Sequence, residues 1–221
     1  MAVTAKTLDE ASFEPRWPAI LVMLLAVVML TSLPARYQAA PAWLPWTTLA
    51  VVVTPMIALA LRPSSVLWHR IERTVVLIFV VALFSAEAFM LLRLLGDMIS
   101  PEHEFASLTL LEEAVIIWIF NILTFTLLYW QVDRGGPEAR ALDKAGPPDI
   151  VFAESEGEHG ENWAPYFVDY LFLAFATSTS FTPPDYCKPA SRRMKLCVMA
   201  QASLSLATLV LVASRAVATL S

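Results

Sequence analysis

Hydrophobic residues along this chain do not alternate with polar ones at strand or surface-helix spacing; they are gathered into blocks. Six apolar blocks cover residues 17–33, 42–61, 74–95, 108–130, 163–181 and 194–220, separated by polar connections. Runs of this length cross a hydrocarbon layer about 30 Å thick as α-helices, and the short alternating strands of a membrane barrel are missing from the sequence. The pattern predicts an all-α, polytopic helical membrane protein. The first block reaches about 25 Å, with Trp17 and Tyr37 at interface positions. It follows a 16-residue polar start and has no small-x-small cleavage site, so it reads as a signal anchor that stays. In the second block Pro45 lies near the start, where a missing N–H costs little, whereas Pro55 lies inside and predicts a kink. The third and fourth blocks, joined by the turn 96–105, are expected to pack as an antiparallel hairpin. The sixth is about 40 Å long if fully helical and must tilt or project. Its small residues four apart, Ser203/Ala207 and Ser214/Ala218, suit close helix contact.

The fifth block differs from the rest. It is aromatic-rich, contains Asp169, and ends in a hydroxyl run, Thr177, Ser178, Thr179, Ser180 and Thr182, before Pro183, Pro184 and Asp185. Its apolar core is short and polar-ended, which suggests a helix that enters part-way and returns through an irregular segment. Lipid does not tolerate such backbone unless protein or water shields it, so this block points to a pore or an oligomer centre. The distribution of Lys and Arg agrees. With a cytoplasmic N-terminus and a returning fifth block, Lys6, Arg16, Arg62, Arg70, Arg73, Arg134, Arg140, Lys144, Lys188, Arg192, Arg193 and Lys195 all fall inside. Arg36, Arg93 and Arg215 remain outside or near that face, and a fully spanning fifth block would weaken the bias by moving the 188–195 cluster outside. The expected organisation is a polar segment 1–16, peripheral transmembrane helices in 17–105, and a region 106–221 containing the re-entrant helix. This gives about five transmembrane helices plus one re-entrant helix, with the loop 133–162 cytoplasmic.

Composition sharpens this picture. With 57% hydrophobic and 16% charged residues and a mean hydropathy of +0.62, a soluble globular fold is excluded. The formal charge of −5 belongs to residues 133–162, which hold eight acidic and three basic side chains, and the rest of the chain balances at 12 against 12. No basic face suggests a nucleic-acid partner. The stretch 154–161 reads as a solvated linker, since it lacks the loop grammar of a calcium site. Cys187 and Cys197 have no CxxC spacing and read as free thiols. His69, His103 and His159 lie in separate connections, and no GxSxG, P-loop, HExxH or dinucleotide fingerprint occurs, so no catalytic, cofactor or metal site is expected.

From Trp130 onward the chain resembles an uncharacterised family of bacterial inner-membrane proteins whose C-terminal half looks like the pore module of potassium channels: outer helix, pore helix, filter segment, inner helix. The residues carrying this resemblance are Asp133-Arg134-Gly135-Gly136-Pro137, Pro148-Asp149, Asp169-Tyr170, 175–185, Pro189, Arg192, Lys195 and Arg215-Ala216-Val217, within roughly the last 90 residues. The resemblance implies a multi-pass inner-membrane protein that assembles with itself, a tetramer being favoured, and a path for monovalent cations at its axis. The chain departs from the filter pattern Thr-Val-Gly-Tyr-Gly-Asp, because Ser180, Phe181, Thr182, Pro183, Pro184 and Asp185 stand in its place and both glycines are gone. Glycine permits the dihedrals that aim successive carbonyls at an ion; proline fixes φ and restricts the residue before it. Potassium selectivity of the usual kind is therefore not expected. Direction conflicts too: potassium channels hold the filter on the extracellular side, whereas the basic residues here place 183–195 in the cytoplasm.

Two readings stand side by side. In a conducting oligomer the hydroxyl run and a ring of Asp185 carboxylates would line a polar path; in a non-conducting scaffold the same hydroxyls bond to their own helix, Pro183-Pro184 seals the axis, and the acidic loop docks a partner. Glu87, Arg93, Glu112, Glu113 and Asn121 are polar groups in or at the ends of apolar spans. A charge at mid-membrane costs about 3 kcal/mol or more, so Glu87 should be paired or hold a proton. Arg93, Glu112 and Glu113 lie close enough to the 96–105 turn to reach the interface.

Overall fold

The computed structural model describes residues 14–61, 66–99, 107–141, 146–156 and 163–220. The connection around His103, His159, the 157–162 part of the acidic loop and the side chains of Arg215 and Ala218 lie outside those residues. Seven α-helices occur among the described residues: α1 (Trp17–Ser32), α2 (Trp43–Leu61), α3 (Val66–Ile99), α4 (Ser107–Val132), the short α5 (Pro137–Ala141), α6 (Phe167–Ser180) and α7 (Arg192–Leu220). The fold is predominantly helical, as the block pattern predicts.

Helix ends follow local chemistry. Pro18 starts α1, where a missing N–H is harmless, and Pro34 pushes Leu33 into an extended conformation with ψ 150°, which stops the helix. Pro55 lies inside α2, which continues through it. The third block extends beyond 74–95 to a helix of 34 residues, because its polar lead, Trp68 to Arg73, continues the same helix. Hydropathy marks where a helix is apolar, not where it begins.

Helix α4 is the hub, packing against α1, α3, α6 and α7, while α2 lies on α1 and α3. Its side chains Ile117, Phe120, Phe125, Leu127, Tyr129 and Trp130 are fully buried. Phe84 of α3 meets Phe125 edge-on at 4.8 Å, a favoured aromatic geometry. Three helices, α3, α4 and α7, are long and apolar enough to cross a membrane. Helices α1 and α2, at 16 and 19 residues, are shorter, so the described residues hold three long apolar helices where the block pattern predicts five spans.

One element falls outside an all-helical expectation. Strands β1 (Ile150–Phe152) and β2 (Cys187–Pro189) pair antiparallel, with Ile150 opposite Pro189, Val151 opposite Lys188 and Phe152 opposite Cys187. Three residues each are too few to leave a period-two signal in sequence. This ladder brings the later part of the 133–162 loop back against the segment that follows α6.

Candidate functional site

Helix α6 reaches only half-way along α4. Its first residue, Phe167, packs on Trp130 near the C-terminal end of α4, with ring centroids 5.6 Å apart. Eleven residues later the Ser178 hydroxyl donates to Asn121 Oδ1 at 3.0 Å, near the middle of α4. Asp169 sets the helix start by accepting from the Tyr166 amide at 2.7 Å, an N-terminal cap. Phe181 stops the helix in a left-handed conformation with φ 57°. The chain then turns back: Tyr186 stacks against Phe172 at 5.1 Å, and Cys187 joins β1 beside Phe152, which itself meets Tyr170 and Trp163. Both ends of the α6 unit therefore lie at the same end of the bundle.

A helix ending at mid-bundle leaves carbonyls without intrahelical partners. Those of α6 meet a buried polar network. Ser205 of α7 donates to Ser178 O at 2.8 Å, and Trp118 of α4 donates to Ser205 Oγ at 3.1 Å. Gln201 of α7 donates to Ala174 O at 2.8 Å and to Ser178 Oγ at 3.0 Å, while its own Oε1 accepts from Tyr129 at 2.6 Å. Asn121 donates to Glu87 Oε1 at 2.6 Å, so the network runs from α3 through α4 and α6 to α7. Glu87 is 1% exposed, and its partner is an amide rather than the basic group its position invites.

The hydroxyl run divides between two faces. Thr177 and Ser178 are fully buried, Ser178 bonding to α4 and α7, whereas Thr179, Ser180, Thr182 and Asp185 are exposed and Pro183 and Pro184 half-buried. Thr179 also bonds back to the carbonyls of Phe175 and Ala176, each at 3.0 Å.

The same end of the bundle carries a second cluster, built on the Asp133-to-Pro137 motif. Arg134, Gly135 and Gly136 have consecutive positive φ values of 51°, 83° and 96°, a turn that folds α5 back onto α4. Arg140 then donates to Trp130 O at 3.0 Å and Asp133 O at 2.9 Å, capping the carbonyl end of α4, and its Nε pairs with Glu14 at 2.9 Å. Asp133 accepts from the amides of Asp149 and Ile150 and, at 2.7 Å, from the Tyr170 hydroxyl. Asp149 accepts from the Arg134 amide at 2.9 Å and from the Arg193 guanidinium. Burial pushes the Asp149 carboxyl up, but its hydrogen bonds from Arg193, Ser191 and Arg134 outweigh that and hold it below the usual range.

Within the acidic stretch 133–162, Asp133 and Asp149 are 1% and 2% exposed and tie the chain inward. Of the stretch 154–161, Glu154 is exposed and residues 154–156 lie in a short 3-10 turn after β1, and the rest lies outside the described residues. Cys187, free and buried beneath the ladder, has its thiol pushed up to about 12 by burial and by the charges of Glu154 and Asp169.

At the opposite end, Arg36 pairs with Glu113 and, at 3.2 Å, with Asp97, whose Oδ2 also accepts from Tyr37 at 3.0 Å. Glu113 is 3% exposed and paired, while Glu112 and Arg93 are exposed, Arg93 lying over the Phe89 ring at 5.3 Å. Sequence reasoning missed Gln201, Trp118 and Tyr129. The available signal was Gln201, Ser205 and Thr208, spaced i, i+4 and i+7 on one face of an apolar helix, all buried. Among the described residues no group of three or more His, Cys, Asp or Glu side chains could hold a metal. Comparisons with family models, curated proteins and solved structures return no match for this chain.

Proposed function

We propose that the chain is a multi-pass inner-membrane protein of pore-loop architecture, related in plan to the pore module of potassium channels, whose copies assemble, as a tetramer, around an axis that passes monovalent cations. The observation that carries this reading is α6, a helix that stops at mid-bundle and hands over to an extended return. If α4 spans the bilayer, Thr179 to Thr182 lie at membrane depth, exposed, with irregular backbone that lipid cannot satisfy. Neighbouring copies or water must cover them.

The carbonyl end of α6 carries partial negative charge at that depth, beside the exposed hydroxyls of Thr179, Ser180 and Thr182, which favours a cation over an anion. Helix α7 supplies a surface for assembly. Its outward residues Leu196, Met199, Ser203, Leu206, Ala207 and Val210 recur at three- and four-residue spacing, a seam suited to another copy. Because Thr182 and Pro184 stand at the filter's glycine positions and Pro183 lies between them, ions would be met by hydroxyls and carboxylates rather than by a carbonyl ladder.

The test is flux from purified protein in liposomes under potassium, sodium and proton gradients, with the oligomer verified beforehand. Cation flux that falls severalfold in Asp185→Asn supports the reading. An intact oligomer silent to all three gradients favours the second reading, a sealed scaffold, for which Pro183-Pro184 is the specific observation.

A further inference from the structure

A cavity of about 660 Å³ opens at the same end of the bundle as the Asp133 cluster, lined among others by Arg73, Arg134, Gly135, Pro148, Asp149 and Arg193. Three guanidinium groups from three different elements, α3, the turn after α4 and the start of α7, converge on it. Arg73 reaches across from α3 to the turn, its Nη1 lying 3.8 Å from where a Gly135 Cβ would be. Among the described residues the side chains of Arg73 and Arg134 have no hydrogen-bond or ion-pair partner. Asp149 is the acid lining the cavity, and it is already engaged by Arg193 and the Arg134 amide. Asp133 does not line the cavity, and its carboxylate accepts from two amides and Tyr170. Among the described residues that line it, three guanidinium groups face one carboxylate, so the lining carries surplus positive charge.

We infer that this pocket binds a phosphate-bearing anion, its oxygens held by the Arg73 and Arg134 guanidinium groups. Planar guanidinium forks match phosphate oxygens two at a time, which a lysine cannot do. The volume accommodates a headgroup-sized ligand. Its place suits one as well, since basic pockets between helices at the cytoplasmic side are where anionic headgroups bind. An anion there would fasten α3, α4 and α7 together at one end, whether or not the axis conducts.

The experiment is thermal unfolding of the intact protein in a neutral detergent, titrated with inorganic phosphate, with short-chain phosphatidylglycerol, and with short-chain phosphatidylcholine as zwitterionic control. Saturable stabilisation by phosphate or phosphatidylglycerol, but not by phosphatidylcholine, is expected. Arg73→Gln and Arg134→Gln should each weaken it about tenfold, Arg73→Lys should weaken it less, and Lys195→Gln, outside the pocket, should leave it unchanged. Arg73 is exposed, so its substitution spares the fold. Stabilisation by phosphatidylglycerol that excess phosphate fails to displace identifies a lipid as the source; equal response to phosphate alone identifies the free ion. No stabilisation by either, or equal loss in Lys195→Gln, overturns the site.

Discussion

Asp149 accepts from the Arg193 guanidinium and the Arg134 amide while its own amide donates to Asp133, so one residue locks the turn after α4 to the start of α7. Its folded-state pKa is lowered, and the sign of the linkage follows. The stabilisation is fully present above the unfolded value, near 3.9, and is lost as pH falls through the lower folded value. Asp149→Asn should cost about 2 kcal/mol at neutral pH, the range for hydrogen bonds to a charged group. Thermal unfolding in detergent across pH should show wild type and variant converging only in strong acid; a constant gap down to that range would contradict the account. At this scale the sequence was partly legible. Gly135 and Gly136 mark a turn by their chemistry, and Gly136, with φ 96° and ψ 176°, sits where a side chain is not tolerated. What could not be read was that Asp133 and Asp149 turn inward, because a carboxylate in an acidic stretch shows its partner only once β1 and β2 have closed the loop.

Among the elements, α6 was legible in kind and only partly in its bounds. Its apolar core is too short to span and its hydroxyl-rich end announces a departure from lipid, but the left-handed stop at Phe181, a bulky residue with positive φ, has no sequence signature. The partners of α6 were less legible, since Gln201 reads as one polar residue in an apolar helix until its face is known to meet Ser178. Ser178 is the node of this network, bonded through its hydroxyl to Asn121 and Gln201 and through its carbonyl to Ser205. Ser178→Ala leaves Asn121 Oδ1 and one Gln201 N–H buried without that partner, costing about 1–3 kcal/mol. Thr179→Ala, on the exposed face of the same turn, should change stability by no more than about 0.5 kcal/mol. Melting of the two variants side by side checks this, and equal losses would mean that the network does not hold α6 at its depth.

For the molecule as a whole, the ion pairs sort the charges by end. Arg16 pairs with Glu72, Arg140 with Glu14 and Arg193 with Asp149, and Arg73 lies over Gly135, all at the end where α4 finishes. Arg36, with Asp97 and Glu113, lies at the other. The return of the chain after α6 is what keeps Lys188, Arg192 and Arg193 with the first group; a spanning fifth block would have divided it. If the chain spans the inner membrane as proposed, the lysine and arginine rule would place the end bearing the Asp133 cluster in the cytoplasm. Single cysteines test this. Cys187 is 2% exposed and its thiol is pushed up to about 12, so it reacts slowly, and Cys197→Ser removes the other native thiol. On that background Lys188→Cys, at the exposed position of β2, should resist a membrane-impermeant thiol reagent in intact cells and react once the inner membrane is opened. Ala39→Cys, exposed near Arg36, should react in both. The reverse pattern would put the mouth of the α6 return on the periplasmic side, where potassium channels carry their filter, and would make this chain an exception to the charge rule.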